Sequence, residues 1–245
     1  MSVVPSGGSI DTALLSQPVH KLVAEAVGTL TIILALWITF SKGAGPAWLR
    51  GVCWGAVAIV TAETFLGMAA LSTSKAYAIG FWHALLGHLF VSMTAALALG
   101  AAWRPATSFI ADKGWPSLRG YSVFTCALVV LQVILGAAFR HELMGVMSHI
   151  IGALILALFI LGLAMLVLNM PKENLPQGNP LKVPAIVLIV LAGIQVALGL
   201  TVASMGGRSR ALTVMTISHA AIGSMTLAST VVLTVLIRQH MRRST

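Results

Sequence analysis

Charge is scarce in this chain. Only 9% of its 245 residues are Asp, Glu, Lys or Arg, and just six are acidic. A soluble domain carries charge on about a quarter of its residues, so an ordinary water-exposed surface is excluded. Cysteine is equally sparse. Cys53 and Cys126 both fall inside apolar runs, which excludes a disulfide-stapled secreted fold and leaves two reduced, packed thiols as the expectation. There is no C-x-x-C, H-E-x-x-H, P-loop, nucleophile elbow or dinucleotide-binding glycine fingerprint, so the common soluble cofactor chemistries find no support. Residues 1–19 hold no basic residue ahead of an apolar core; no cleavable signal peptide is expected there, and the first helix serves as its own insertion signal.

What the chain has in abundance is apolar. Hydrophobic residues make up 58% of it and its mean hydropathy is +0.97. Runs of about twenty apolar residues, the length a helix needs to cross hydrocarbon, recur from end to end. They predict an all-α polytopic membrane protein with seven transmembrane helices: His20–Ser41, Leu49–Ser72, Ala78–Trp103, Arg119–Phe139, Glu142–Asn169, Val183–Met205 and Ala211–Ile237. The connectors carry Gly, Pro, Asn and Ser, and none is long enough for a domain outside the membrane. The expected organisation is an outer N-terminal segment (1–19), a first half of three helices (20–110) and a second half of four (111–245).

The net charge of +9 does not point to nucleic acid, because its distribution follows the cytoplasmic bias of membrane loops. Lys42, Arg50, Arg104, Lys113, Arg119, Lys172, Lys182, Arg238, Arg242 and Arg243 fall on one side; Lys21, Lys75, Arg140, Arg208 and Arg210 fall on the other. The richer side is expected in the cytoplasm, with the N-terminus outside and the C-terminus inside a cytoplasmic (inner) membrane.

A repeat organises the chain. Glu63-Thr-Phe-Leu-Gly67, Gln132-Val-Ile-Leu-Gly136 and Gln195-Val-Ala-Leu-Gly199 share an E/Q-x-x-L-G pattern near the outer ends of helices two, four and six. Each is followed by a short connection and a helix with an early histidine: His83, His149 and His219. His20 opens helix one and lacks only the preceding helix. At 1.5 Å per residue all four histidines lie within ~12 Å of the outer helix ends. Four ionisable side chains at one depth in hydrocarbon are costly without partners, which makes them a candidate site.

Imidazole is an axial ligand for heme iron, and two helices of a bundle can present histidines to opposite faces of a porphyrin. His20 and His83 form one expected pair, and His149 and His219 the other. Gly87, Gly152 and Gly223 follow three of these histidines by three or four residues, on the same helical face, where a missing side chain would leave room for a flat macrocycle. Arg140, Arg208, Arg210, Lys75 and Lys21 supply outer cations for propionates. His88 points about 140° away from His83 and reads, like His240, as structural. His141 reads as a loop residue able to reach a propionate or move a proton. Glu25 and Glu63 are acids inside apolar spans and require protonation, pairing or water. Glu63 stands where the other repeats have glutamine, which suggests either an amide-like structural role or proton transfer.

These residues resemble the heme A synthase family of cytochrome oxidase assembly proteins over nearly the whole chain. The likeness rests on His20-Lys-Leu-Val-Ala, Leu66-Gly67 with His83-Ala, Leu131-Gln-Val-Ile-Leu-Gly-Ala-Ala-Phe-Arg-His141, Ser148-His149-Ile-Ile-Gly-Ala, and Gln195-Val-Ala-Leu-Gly with Ser218-His219-Ala-Ala. The resemblance implies two pseudo-symmetric bundles that oxidise a heme O methyl group to the heme A formyl group. His20 and His83 would face the substrate heme, and His149 and His219 would hold a heme b cofactor. The family has a further leading helix, a cysteine pair in the loop after it in many members, a glutamate three residues before the first histidine and an arginine just after it. This chain lacks that helix and that pair, and has Gln17 and Lys21 at those two positions.

Three functions therefore stand: a divergent heme A synthase with Gln17, His20 and His83 at its catalytic centre; a b-type heme electron-transfer or accessory subunit of a respiratory complex; and a heme-free scaffold or transporter. Expected partners are membrane lipid, heme, respiratory electron carriers, and a helix from another protein or a second copy closing the three-helix half.

Overall fold

Backbone N–H and C=O groups find no water in hydrocarbon, so an apolar run of membrane length must satisfy them within itself, as a helix does. The structure, a computed structural model, describes residues 12–41, 45–70, 76–103, 106, 109–112, 114–171, 178–205 and 209–243; the side chains of residues 12–17, 70, 76 and 243 lie outside that description. Its helices are α1 (Thr12–Phe40), α2 (Trp48–Ala70), α3 (Ala76–Ala101), α4 (Leu118–Arg140), α5 (Val146–Leu168), α6 (Lys182–Ser204) and α7 (Arg210–His240). All seven are long and apolar enough to span a membrane. The chain is an all-α polytopic integral membrane protein.

Two expected boundaries move. Helix α1 begins at Thr12 rather than His20, so residues 12–19 of the outer segment are helical. Its apolar stretch starts at Pro18, and hydropathy alone does not register the turns that precede it. Helix α5 begins at Val146 rather than Glu142, and Glu142 takes a left-handed φ of 58° in the intervening turn.

Local chemistry fixes several helix ends. The first N–H groups of α4 lack intrahelical acceptors. Asp112 Oδ1 accepts from Leu118 N (3.0 Å), its Oδ2 from Arg119 N (3.1 Å) and Ser117 Oγ (2.7 Å), and Ser117 Oγ accepts from Gly120 N (3.3 Å). Ser209 caps α7 in the same way at Leu212 N (3.1 Å). Asn179 donates to Val167 O (2.8 Å) and accepts from Leu181 N (3.0 Å), tying the end of α5 to the start of α6.

A feature that hydropathy leaves invisible joins the ends of the second half. Strands β1 (Ile110–Asp112) and β2 (Met241–Arg243) pair in parallel, Ile110 opposite Met241. The expected division between residues 110 and 111 therefore falls inside a strand. Arg119 Nη1 donates to Met241 O (3.2 Å), and the Arg242 guanidinium lies 3.7 Å from the Phe109 ring centroid.

In the second half α4 packs on α5 and α7, and α6 on α5 and α7, so the four helices close on themselves. The first half is a row: α1 on α2, α2 on α3, with α3 joined to the second half at α7 and more lightly at α4. The cores gather at one end. Leu156, Ile160, Leu163, Ala164 and Val167 of α5 meet Ala185 and Leu188 of α6 and Leu227, Leu233 and Ile237 of α7. Ala35, Ile38, Leu49, Cys53, Ala56 and Leu97 do the same in the first half. These residues sit mostly in the last turns of α1, α3, α5 and α7 and the first turns of α2 and α6. The histidines lie at the opposite end, where fewer side chains are buried. Cys53 and Cys126 are free thiols within α2 and α4.

Candidate functional site

Helices α1, α3, α5 and α7 run in the same sense, so their early histidines meet at one end. His20 and His83 have ring centroids 6.2 Å apart with planes at 76°. His149 and His219 have centroids 6.2 Å apart with planes at 78°. The structure thus brings the four histidines together as two like pairs, one in each half.

The E/Q residues of the repeat are the histidines' neighbours. Gln132 Nε2 donates to the His149 carbonyl oxygen (2.8 Å) and lies 2.9 Å from His149 Nδ1. Gln195 Nε2 lies 3.1 Å from His219 Nε2. Glu63 Oε2 lies directly against His83 Nδ1. One residue on each even-numbered helix therefore holds the histidine of the next helix, and spacing alone did not reveal that direct contact. Each ring of the second pair keeps one nitrogen that its glutamine does not use, and His219 Nδ1 is buried without a hydrogen-bond partner among the described residues.

Two of the three glycines expected to leave space, Gly152 and Gly223, instead adjoin glutamine side chains. A Cβ at Gly136 would come within 2.9 Å of the His149 ring, and one at Gly199 within 3.1 Å of the His219 ring. A Cβ at Gly152 would collide with Gln132 Oε1, and one at Gly223 would meet Gln195 Nε2 at 3.2 Å. Space expected for a macrocycle at Gly152 and Gly223 is filled by the glutamine amides, because the two side chains must pass within one helix–helix contact. In the first half Gly67 and Gly87 face open space.

Two further histidines cross between the halves. His141, expected in an open loop, is partly buried with its ring against Gly80 of α3, where a Cβ would collide with it. Burial above all, then the Arg140 charge and His83, hold its pKa below the ordinary imidazole value. His88 of α3 turns Nδ1 to its own Ala84 O (2.7 Å) and brings Nε2 to 3.7 Å from the Cβ position at Gly223, beside the second pair. His240 makes the same self-contact with Leu236 O (2.9 Å).

Arg140 is exposed at the end of α4, and Arg210 at the start of α7. Lys75 and Arg208 lie outside the described residues, as does the side chain of Gln17, whose backbone is in α1. Lys21 pairs with Glu25 along α1 (3.8 Å), both exposed. Glu25 therefore does not enter the site, whereas Glu63 does.

The separation within each pair can be compared with that of two imidazoles on one ion. Imidazole–metal bonds of roughly 2.0–2.1 Å on opposite faces of one ion put ring centroids about 6.3 Å apart, close to the separation in both pairs. Among the described residues no group of three or more His, Cys, Asp or Glu side chains converges as a metal site; a porphyrin asks only two ligands of the protein. Beside Glu63 and His83 an open apolar groove of about 480 Å³ is lined by Ala62, Phe65, Leu66, Ala69, Trp82 and Leu86. No family profile, curated protein or solved structure matches this chain.

Proposed function

We propose that this chain is a heme-binding membrane oxidoreductase of the heme A synthase type. His149 and His219 would hold heme b, and His20 and His83 would hold the heme O substrate on its way to heme A. The observation that carries this reading is the equal geometry of the two histidine pairs. Like separations and angles, in two halves related by a sequence repeat, are what two sites for the same kind of flat ligand require. The thinly packed histidine ends of both bundles support the same reading.

The chain's own residues would hold and orient. Gln132 and Gln195 fix the rings of His149 and His219, and Gly136 and Gly199 let those rings seat against α4 and α6. Arg140 and Arg210 are free to face propionates at the outer surface. Heme b, when bound, supplies one-electron transfer. The charge bias argues for the histidine ends facing outward from a cytoplasmic membrane.

A second reading, a b-type heme electron-transfer or accessory subunit that makes no heme A, is favoured by Gln17. Glutamine offers neither the base nor the nucleophile of a carboxylate. Purified chain co-expressed with a heme O source separates the two. About two hemes per chain by pyridine hemochrome, with heme A among them, is the expected result. Heme b without conversion selects the second reading, and a colourless protein overturns both.

A further inference from the structure

The end of the second half opposite its histidines carries a cluster that the proposed function does not use. Arg119 stands at the start of α4, and Arg238 and Arg242 stand at the end of α7, where those two helices pack together. Arg238 and Arg242 are exposed and Arg119 is partly so. Among the described residues no carboxylate pairs with any of the three. Asp112, in the neighbouring strand, is buried and turns its oxygens to Leu118 N, Arg119 N and Ser117 Oγ instead.

An excess of Lys and Arg on one side is general to membrane proteins, and Arg50 at the start of α2 belongs to it as well. That bias does not account for how these arginines are held. The β1–β2 pairing sets Arg242 opposite Ala111, with its guanidinium 3.7 Å from the Phe109 ring centroid, and Arg119 Nη1 is fixed by the Met241 carbonyl oxygen at 3.2 Å. A guanidinium stacked face-on against a ring keeps its N–H edge free, and Arg119 keeps the nitrogens that Met241 does not use.

Aromatic side chains mark the depth of this cluster. Trp115 is 97% exposed and Phe109 47% exposed, and such residues collect at the headgroup level, with the ring toward the acyl chains and any polar tip in the wet layer. Val123 is exposed one turn beyond Arg119 on the same face of α4. Cations at phosphate level above an apolar wall suit a molecule that carries its charge on hydrocarbon chains.

We propose that Arg119, Arg238 and Arg242 form a binding site for an anionic phospholipid. Arg242 and Arg119 would hold the phosphate oxygens through their free N–H groups, Arg238 would add charge, and the acyl chains would run along Val123. The site needs no heme and stands whatever the histidines hold.

The test is a titration of the full chain in uncharged detergent with phosphatidylglycerol or with phosphatidylcholine of the same chains. Bound lipid is counted by native mass spectrometry and stability is followed by thermal melting. Phosphatidylglycerol should bind and raise the melting temperature, and phosphatidylcholine should do so far more weakly. Arg242→Ala should weaken phosphatidylglycerol roughly fivefold, the usual effect of one basic residue near an anionic membrane surface. Arg238→Ala, at an exposed position outside the strand pair, should do the same and keeps the test open should Arg242→Ala fail to accumulate. Arg50→Ala should leave binding unchanged. Equal binding of the two lipids, or an equal loss in Arg50→Ala, overturns the site in favour of diffuse surface charge. Inorganic phosphate that raises the melting temperature as much as phosphatidylglycerol overturns the lipid in favour of a free anion.

Discussion

The second half closes four helices around its histidine pair, whereas the first leaves three in a row beside an open groove. The same sense of difference reaches the side chains. In the second half each histidine is held by an amide, and glycines let the side chains nest: a Cβ at Gly136, Gly152, Gly199 or Gly223 would meet the histidine or glutamine of the neighbouring helix. In the first half Gly67 and Gly87 face open space, His20 is exposed, and the partner of His83 is an acid. A closed bundle can hold a resident group tightly. An open flank suits a group that must enter and leave.

The sharpest way to break this contrast is to remove ligands one half at a time. His149→Ala with His219→Ala should abolish the b-type spectrum of the second site while the protein still inserts, and His20→Ala with His83→Ala should remove the other heme and leave that spectrum in place. An unchanged spectrum in the first double variant would sink the pairing.

Next come the glycines. Gly136→Ala should press on the His149 ring, costing about 1–3 kcal/mol of stability through overpacking and lowering heme affinity at the second site by roughly 10–100-fold, as disturbed ligand supports do. Gly67→Ala, with nothing within 4 Å, should change neither. Equal effects at both positions, by heme titration and thermal melting, would erase the distinction between the halves.

Packing provides a smaller contrast along one helix. Leu163 is 0% exposed and Leu154 66% exposed, both on α5. Lipid is as apolar as leucine, so Leu163→Ala should lose chiefly its packing contacts, on the order of 1–2 kcal/mol. Leu154→Ala should leave the melting temperature in detergent within error.

The smallest effect is expected at the junction. Because His141 has its pKa lowered, first by burial and then by Arg140 and His83, the folded chain binds its proton less readily than the unfolded one. Its stabilising contribution is complete above the ordinary imidazole value near 6.5 and is lost as pH falls from there through the folded value. The melting temperature should therefore drop on acidification through that window, and His141→Asn should flatten the drop. A variant as acid-sensitive as the parent would place the effect elsewhere.

Seven spans, the shared depth of His20, His83, His149 and His219, and the E/Q-x-x-L-G repeat were legible because they need only local information. Hydropathy reads whether a run can bury its backbone in lipid, and a fixed rise per residue turns sequence position into depth. The start of α1 was not legible, since helix continuing past the membrane leaves no hydropathy signal. The surroundings of His141 were not legible for a related reason. Its own neighbours suggest a loop, and the contact that engages it comes from Gly80 in the other half.

By itself, then, the sequence determined an all-α membrane protein with four histidines at one level, because composition and period act within a single helix. Tertiary structure alone decided that Glu63, Gln132 and Gln195 each hold a histidine, that Gly152 and Gly223 make way for amides, and that Ile110–Asp112 pairs with Met241–Arg243. Those contacts depend on how far each helix is rotated toward its neighbour. That rotation is set by side-chain interlocking across the bundle, which no window along the chain contains.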